Sequence, residues 1–197
     1  MFLPFLRGAH RTPRGTRRTR WAAFLLAPLL ASAGLVATAT PSSAGVLDMT
    51  CTTPSSLISS YNPPLTNTVQ NVAISVTASF APCVSLSQPG ITSGGFSVTE
   101  PTPQPRSCAD ILSARPTAAT ITWNTGQTST ISGNATTTIV GALLHSDLTG
   151  TVTSGLFAGD TVVLTGTGPS TAITLCTLGL ASVPSVYTTD ELIITSL

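Results

Sequence analysis

From Gly45 onward the chain holds almost nothing to build helices with. It carries 30 threonines and 20 serines in 153 residues, no lysine, and only two glutamates, Glu100 and Glu191. Threonine is β-branched, so it loses rotamer freedom in a helix and packs well on a pleated, half-solvated surface. Thirteen glycines and eleven prolines cut the same stretch into short pieces, and both residues interrupt helices. The fold class is therefore all-β, with many short strands joined by tight turns.

Alternation and β-branched runs place strands over 46–52, 69–80, 96–99, 118–123, 127–132, 135–144, 148–154, 161–166, 172–176 and 188–196. In the second, Val72, Ile74, Val76 and Ala78 share one face. Asn124-Thr125-Gly126 suits a tight hairpin with Gly126 at positive φ. This spacing predicts a two-sheet antiparallel sandwich of immunoglobulin-like, Greek-key type. The proline-rich stretches 61–65 and 100–105 read as extended connections, the second as a crossover loop or a linker. Residues 155–163 read as a corner between sheets, with Phe157 inward and Asp160 accepting backbone N–H bonds in its own turn. Calcium ligation by Asp160 is the alternative.

Charge is segregated along the chain. Six of the eight arginines lie in the first twenty residues; after Arg20 only Arg106 and Arg115 face seven acids, a balance of 2 − 7 = −5. Such a domain lacks the basic face that nucleic-acid binding requires. The basic start, the apolar run from Trp21 to about Val36 and the small residues to Ala44 follow the order of a secretory signal. Ser42-Ser43-Ala44 places cleavage after Ala44, with Ala39 as second choice. Arg17-Arg18 raises twin-arginine export, but Arg20 stands where an apolar residue belongs, so the general secretory route is expected. Pro28 and the small-residue tail argue against a retained anchor. Residues 1–44 are thus read as signal peptide and 45–197 as one domain, secreted and free of the membrane.

Four cysteines follow the signal: Cys51, Cys83, Cys108 and Cys176. An even number in an exported chain predicts two disulfides. The spacings of 31, 24 and 67 residues lack the close pairs of a zinc site. Of the three possible connectivities, Cys83–Cys108 with Cys51–Cys176 is favoured, because it closes the proline-rich middle and ties the first strand to the late sheet.

Catalytic material is sparse. His145 is the only histidine after the signal, and His145-Ser146-Asp147 between Leu143-Leu144 and Leu148-Thr149-Gly150 reads as a polar turn rather than a triad. Glu100, Asp190 and Glu191 read as solvated charges, not a glycosidase pair. Trp123 shares a face with Ile121 and reads as core. Recurrent Thr-x-Thr triplets such as Thr120/Thr122 and Thr128/Thr130 reflect strand propensity. No catalytic, cofactor-binding or metal-binding residue is assigned.

Several runs together cover most of the domain: Pro63-Pro64-Leu65-Thr66, Pro82-Cys83-Val84-Ser85, Ser107-Cys108, 122–130 from Thr122-Trp123-Asn124, and 149–160 ending Phe157-Ala158-Gly159-Asp160. In these the chain resembles an uncharacterised family of small secreted actinomycete proteins. The resemblance implies an exported β-sandwich and transfers no activity. By composition alone the chain also resembles the apoproteins that carry enediyne antibiotics, although their cysteine motifs are missing; that likeness implies fold only. The expected function is a non-enzymatic secreted module, engaging a cell-envelope component or another secreted protein. One alternative is an extracellular small-molecule carrier, which needs an apolar cleft of roughly 300 Å³ or more. The other is a secreted hydrolase, or a protease inhibitor presenting the 100–105 loop.

Overall fold

The structure, a computed structural model, describes residues 46–196; the expected signal segment and the expected cleavage site after Ala44 lie outside them. Eleven strands follow in order: β1 (Leu47–Cys51), β2 (Ser56–Leu65), β3 (Gln70–Phe80), β4 (Cys83–Ser85), β5 (Gly94–Thr99), β6 (Gln104–Arg106), β7 (Arg115–Trp123), β8 (Thr128–Val140), β9 (Leu143–Gly155), β10 (Thr161–Pro169) and β11 (Val183–Thr195). A 3₁₀ turn (Cys108–Leu112) precedes β7, and one short helix, α1 (Thr171–Thr177), precedes β11.

The predicted sandwich is not what forms. Eight strands close into an antiparallel barrel in the order β2-β3-β5-β7-β8-β9-β10-β11. Closure depends on β11, which pairs β10 along Thr189–Thr195 and β2 along Val183–Thr189. A sandwich leaves its sheet edges open, whereas here the first long strand and the last share an edge. Curvature comes from bulges in β8 and β11 and from Gly133 facing Gly150 across β8 and β9. A side chain at either glycine would run into the backbone of the other strand, so only this pair lets the two strands approach and bend so closely. The remaining strands are appendages: β1 continues the line of β2 along β11, β4 pairs β1, and β6 pairs the start of β3.

Alternation is strict along the staves. On β8, Ser132, Asn134, Thr136 and Thr138 are exposed, while Ile131, Gly133, Ala135 and Thr137 turn inward. The exterior hydroxyls pair across strands, as in Thr120–Thr130 at 3.1 Å and Ser75–Thr99 at 3.0 Å, which explains the threonine count. A polar outside and apolar inside is the reverse of a membrane barrel. Among the described residues no helix is long and apolar enough to cross a membrane.

Two expected elements change. Residues 172–176 form α1 instead of a strand, with Ile173 and Cys176, three apart, both buried. The 61–65 connection is the end of β2. The 100–105 stretch is not a linker to a second domain; it runs from β5 into β6, back against β3.

Each end of the barrel is filled by its own apolar cluster and fastened by its own disulfide. At one end Met49, Phe80, Ile91, Trp123 and Phe157 pack together. Trp123 is core as expected; its indole N–H donates to Ser129 Oγ at 2.9 Å, and its ring meets Phe157 edge-on at 6.1 Å. At the other end Tyr61, Leu65, Ile111 and Ile173 pack under the 3₁₀ turn and α1. The disulfides are Cys51–Cys83 and Cys108–Cys176, not the favoured Cys83–Cys108 and Cys51–Cys176. Cys51 and Cys83 are register partners on β1 and β4, and Cys108–Cys176 joins the 3₁₀ turn to α1. The pairing follows neighbours in space that chain spacing does not reveal. Two disulfides fit an oxidising, extracellular environment.

Candidate functional site: a cavity facing a split seam

An eight-stranded barrel is just wide enough for side chains to fill, or to hold one small ligand. Here large residues fill the ends and small ones occupy the middle. Asp190 on β11 faces Gly166 on β10, Gly166 faces Ser146 on β9, and Ser146 faces Thr137 on β8. These inward positions leave a cavity of about 260 Å³, bounded by both apolar clusters through Leu148, Leu164, Ile74 and Leu144.

One seam of the ring is nearly open. β5 and β7 pair only at Gly94–Trp123 and Gly95–Thr122, whereas β8 and β9 pair along their whole length. Beyond those two pairs Phe96, Val98 and Glu100 border the cavity on one side and Arg115 to Ala119 on the other. In a regular strand only alternate residues face one way. Five consecutive β7 residues therefore mean that the cavity reaches the strand's edge, and this is its mouth.

Of the domain's two arginines, Arg115 lines that mouth and Arg106 is tied to it through Glu100. Arg106 Nη2 lies 2.7 Å from Glu100 Oε1, while Arg106 Nε and Glu100 Oε2 are buried without partners. Arg115 borders the cavity and makes no ion pair among the described residues. Burial pushes the Tyr61 phenol up, and Arg115, with smaller help from Ser59 and Arg106, pulls it partly back.

Asp190 lies on the far wall. Around the ring, the β10–β11 seam stands half a turn from the β5–β7 seam. The Asp190 side chain is 2% exposed, and its Oδ1 has no hydrogen-bond partner among the described residues. A Cβ on Gly166 would stand 2.5 Å from that oxygen. Burial pushes the carboxyl up to about 6; the Thr188 hydroxyl, which also reaches the Leu57 carbonyl at 3.5 Å, works against it.

The expectation of a solvated Asp190 is therefore wrong, and a signal for its burial was present. Asp190 lies two residues before Leu192 and four before Ile194, both buried on β11, so a period of two places it on the core face. Glu191, one residue on, is exposed as expected. Glu100 is half-buried in its ion pair. His145-Ser146-Asp147 is not a turn but the interior of β9. Ser146 lines the cavity, while His145 and Asp147 point to the opposite face, so the three do not converge. Asp160 accepts no backbone N–H through its side chain; its carboxyl is raised by desolvation and by the facing Asp48. Among the described residues no three His, Cys, Asp or Glu side chains group as a metal site.

No family model, curated protein or solved structure matches the chain.

Proposed function

We propose that this protein is a secreted, non-enzymatic carrier that encloses one small molecule inside its barrel. The observation that carries the reading is the cavity of about 260 Å³ behind the β5–β7 seam, a little under the roughly 300 Å³ set for a drug-sized ligand and so fit for a smaller one. A closed apolar cavity of about 150 Å³ accepts benzene, so this one suits a ligand of one or two small rings. The carrier reading moves ahead of the envelope module because a barrel with a hollow middle stands where a sandwich would have a filled core. Export rests on the signal-like segment, and the disulfides suit the destination.

The test is native mass spectrometry of the disulfide-bonded protein against a library of small cyclic compounds. One-to-one complexes that vanish when Ser146→Leu fills the cavity support the carrier. If no compound binds, or Ser146→Leu leaves the complexes unchanged, the reading fails. Retention on cell-wall preparations would then favour the envelope module.

A further inference from the structure

Asp190 poses a problem that the chain does not solve from within. A carboxylate removed from water is costly unless it is paired or hydrogen-bonded. The domain owns two guanidinium groups, yet Arg106 is paired with Glu100 and Arg115 stands at the mouth, on the β7 side of the opposite seam. The backbone around Asp190 is committed to ladders, with its own N–H donating to the Ser55 carbonyl at 2.8 Å. The facing residue, Gly166, brings no donor; it makes room for the carboxylate. Among the described residues nothing partners Oδ1, and the open route to it is the cavity that Asp190 lines.

A metal ion fits poorly here. Calcium or magnesium wants six or more oxygen ligands, and zinc wants several nitrogen or sulfur donors. Beside Asp190 stand Gly166 and Thr188, with the Ser146 hydroxyl one strand beyond Gly166, so this wall offers a single acid with hydroxyls. A protonated amine fits well: one ammonium brings positive charge and three N–H donors in the space of a methyl group. The Thr188 hydroxyl stands beside the carboxylate as a further acceptor, and the Ser146 hydroxyl lines the same cavity one strand beyond Gly166. Toward the seam the walls turn apolar, with Phe96 and Val98 on β5 and Ala119 on β7.

From this geometry we propose that the ligand is a small amine with an apolar, ring-sized body. Its ammonium docks on the Asp190 carboxylate and its body fills the middle of the barrel toward the β5–β7 mouth. The inference rests on the carrier reading and specifies its ligand class. Selection works by charge: a neutral molecule of the same shape leaves Asp190 unpaired, and an acid would set a second negative charge beside it.

The experiment is isothermal titration of the intact disulfide-bonded protein at neutral pH. The probes are 2-phenylethylamine and tryptamine, each compared with the alcohol and the carboxylic acid of the same ring. Wild type is expected to bind the amines about tenfold to a hundredfold more tightly than the alcohols, the worth of a charge-assisted hydrogen bond. The acids should bind weakest. In Asp190→Asn, which keeps the side chain's size, the preference for amine over alcohol should disappear while alcohol binding persists. Equal binding of amines and alcohols by wild type, or preference for the acids, overturns the amine inference and leaves the carrier standing. Failure of all six probes, with no hit in the wider library, overturns both. Wild type alone separates these outcomes, whether or not the variant folds.

Discussion

Asp190 and Gly166 are register partners across the β10–β11 ladder, and the hydrogen in place of a side chain at Gly166 is what gives the Asp190 carboxylate its room. A methyl group there would stand 2.5 Å from Oδ1 and 3.2 Å from the Thr188 side chain. Gly166→Ala is therefore expected to destabilise the protein by about 1–3 kcal/mol, the usual cost of overpacking. In an Asp190→Ala background the cost should shrink to the residue left by Thr188. A double-mutant cycle in urea measures the difference, and additive effects would refute the contact.

The buried acid also sets a pH dependence. An ordinary aspartate titrates near 3.8, whereas Asp190 is held at about 6. Between those values the folded protein keeps a proton that the unfolded chain has released, so stability falls as pH rises through the window and levels off above it. Two units correspond to roughly 3 kcal/mol. Asp160, raised in the same direction, adds to the trend. Denaturation midpoints from pH 4 to pH 7 should decline for wild type. Asp190→Asn should flatten the decline and be more stable than wild type at pH 7.

The β5–β7 seam predicts uneven hydrogen exchange. Amides of β5 and of the first half of β7 that point into the seam lack cross-strand partners over most of its length, while those turned to β3 and β8 are laddered. The seam-facing amides should exchange well before those of β8 and β9, which are paired throughout. Bound ligand should slow the seam amides. Uniform protection around the ring would contradict a mouth at this place.

The two disulfides should differ in worth. Cys108–Cys176 spans 68 residues and Cys51–Cys83 spans 32. Chain-entropy arguments give about 3.7 kcal/mol for the shorter loop and about 4.4 kcal/mol for the longer, a difference of about 0.7 kcal/mol. Replacing both members of each pair with serine and comparing thermal midpoints checks the order. Peptide mapping without reduction should recover Cys51 linked to Cys83.

Much of the local structure was legible in the sequence, because it depends on neighbours along the chain. Threonine content and alternation found β1, β3 and β5 and most of β7 to β11, and Trp123 beside Ile121 identified itself as core. What failed depends on neighbours in space. Nothing in the run 188–196 says that β11 meets both β2 and β10, so a barrel and a sandwich look alike until that pairing is known. The cysteine pairs were unreadable for the same reason, since Cys51 meets Cys83 through β1 and β4, a ladder with no sequence mark. Residues 172–176 misled because an apolar run of five suits a strand or a single helical turn equally well. Asp190 is different. Its inward phase is readable from Leu192 and Ile194, which stand two and four residues on, although an unpaired acid ordinarily sits in water.

The double engagement of β11 has a consequence for how this molecule can come into being. A stack of sheets can lose a margin and remain a smaller stack, but a ring has no shorter version of itself. With β11 missing, β2 and β10 would each present a bare row of amides and carbonyls, and the hollow would open to water along its whole height. Most of the ring's other contacts are in place once β10 has formed, yet the enclosure arrives all at once with β11. The molecule is thus either a vessel or an open sheet, and its final strand decides which.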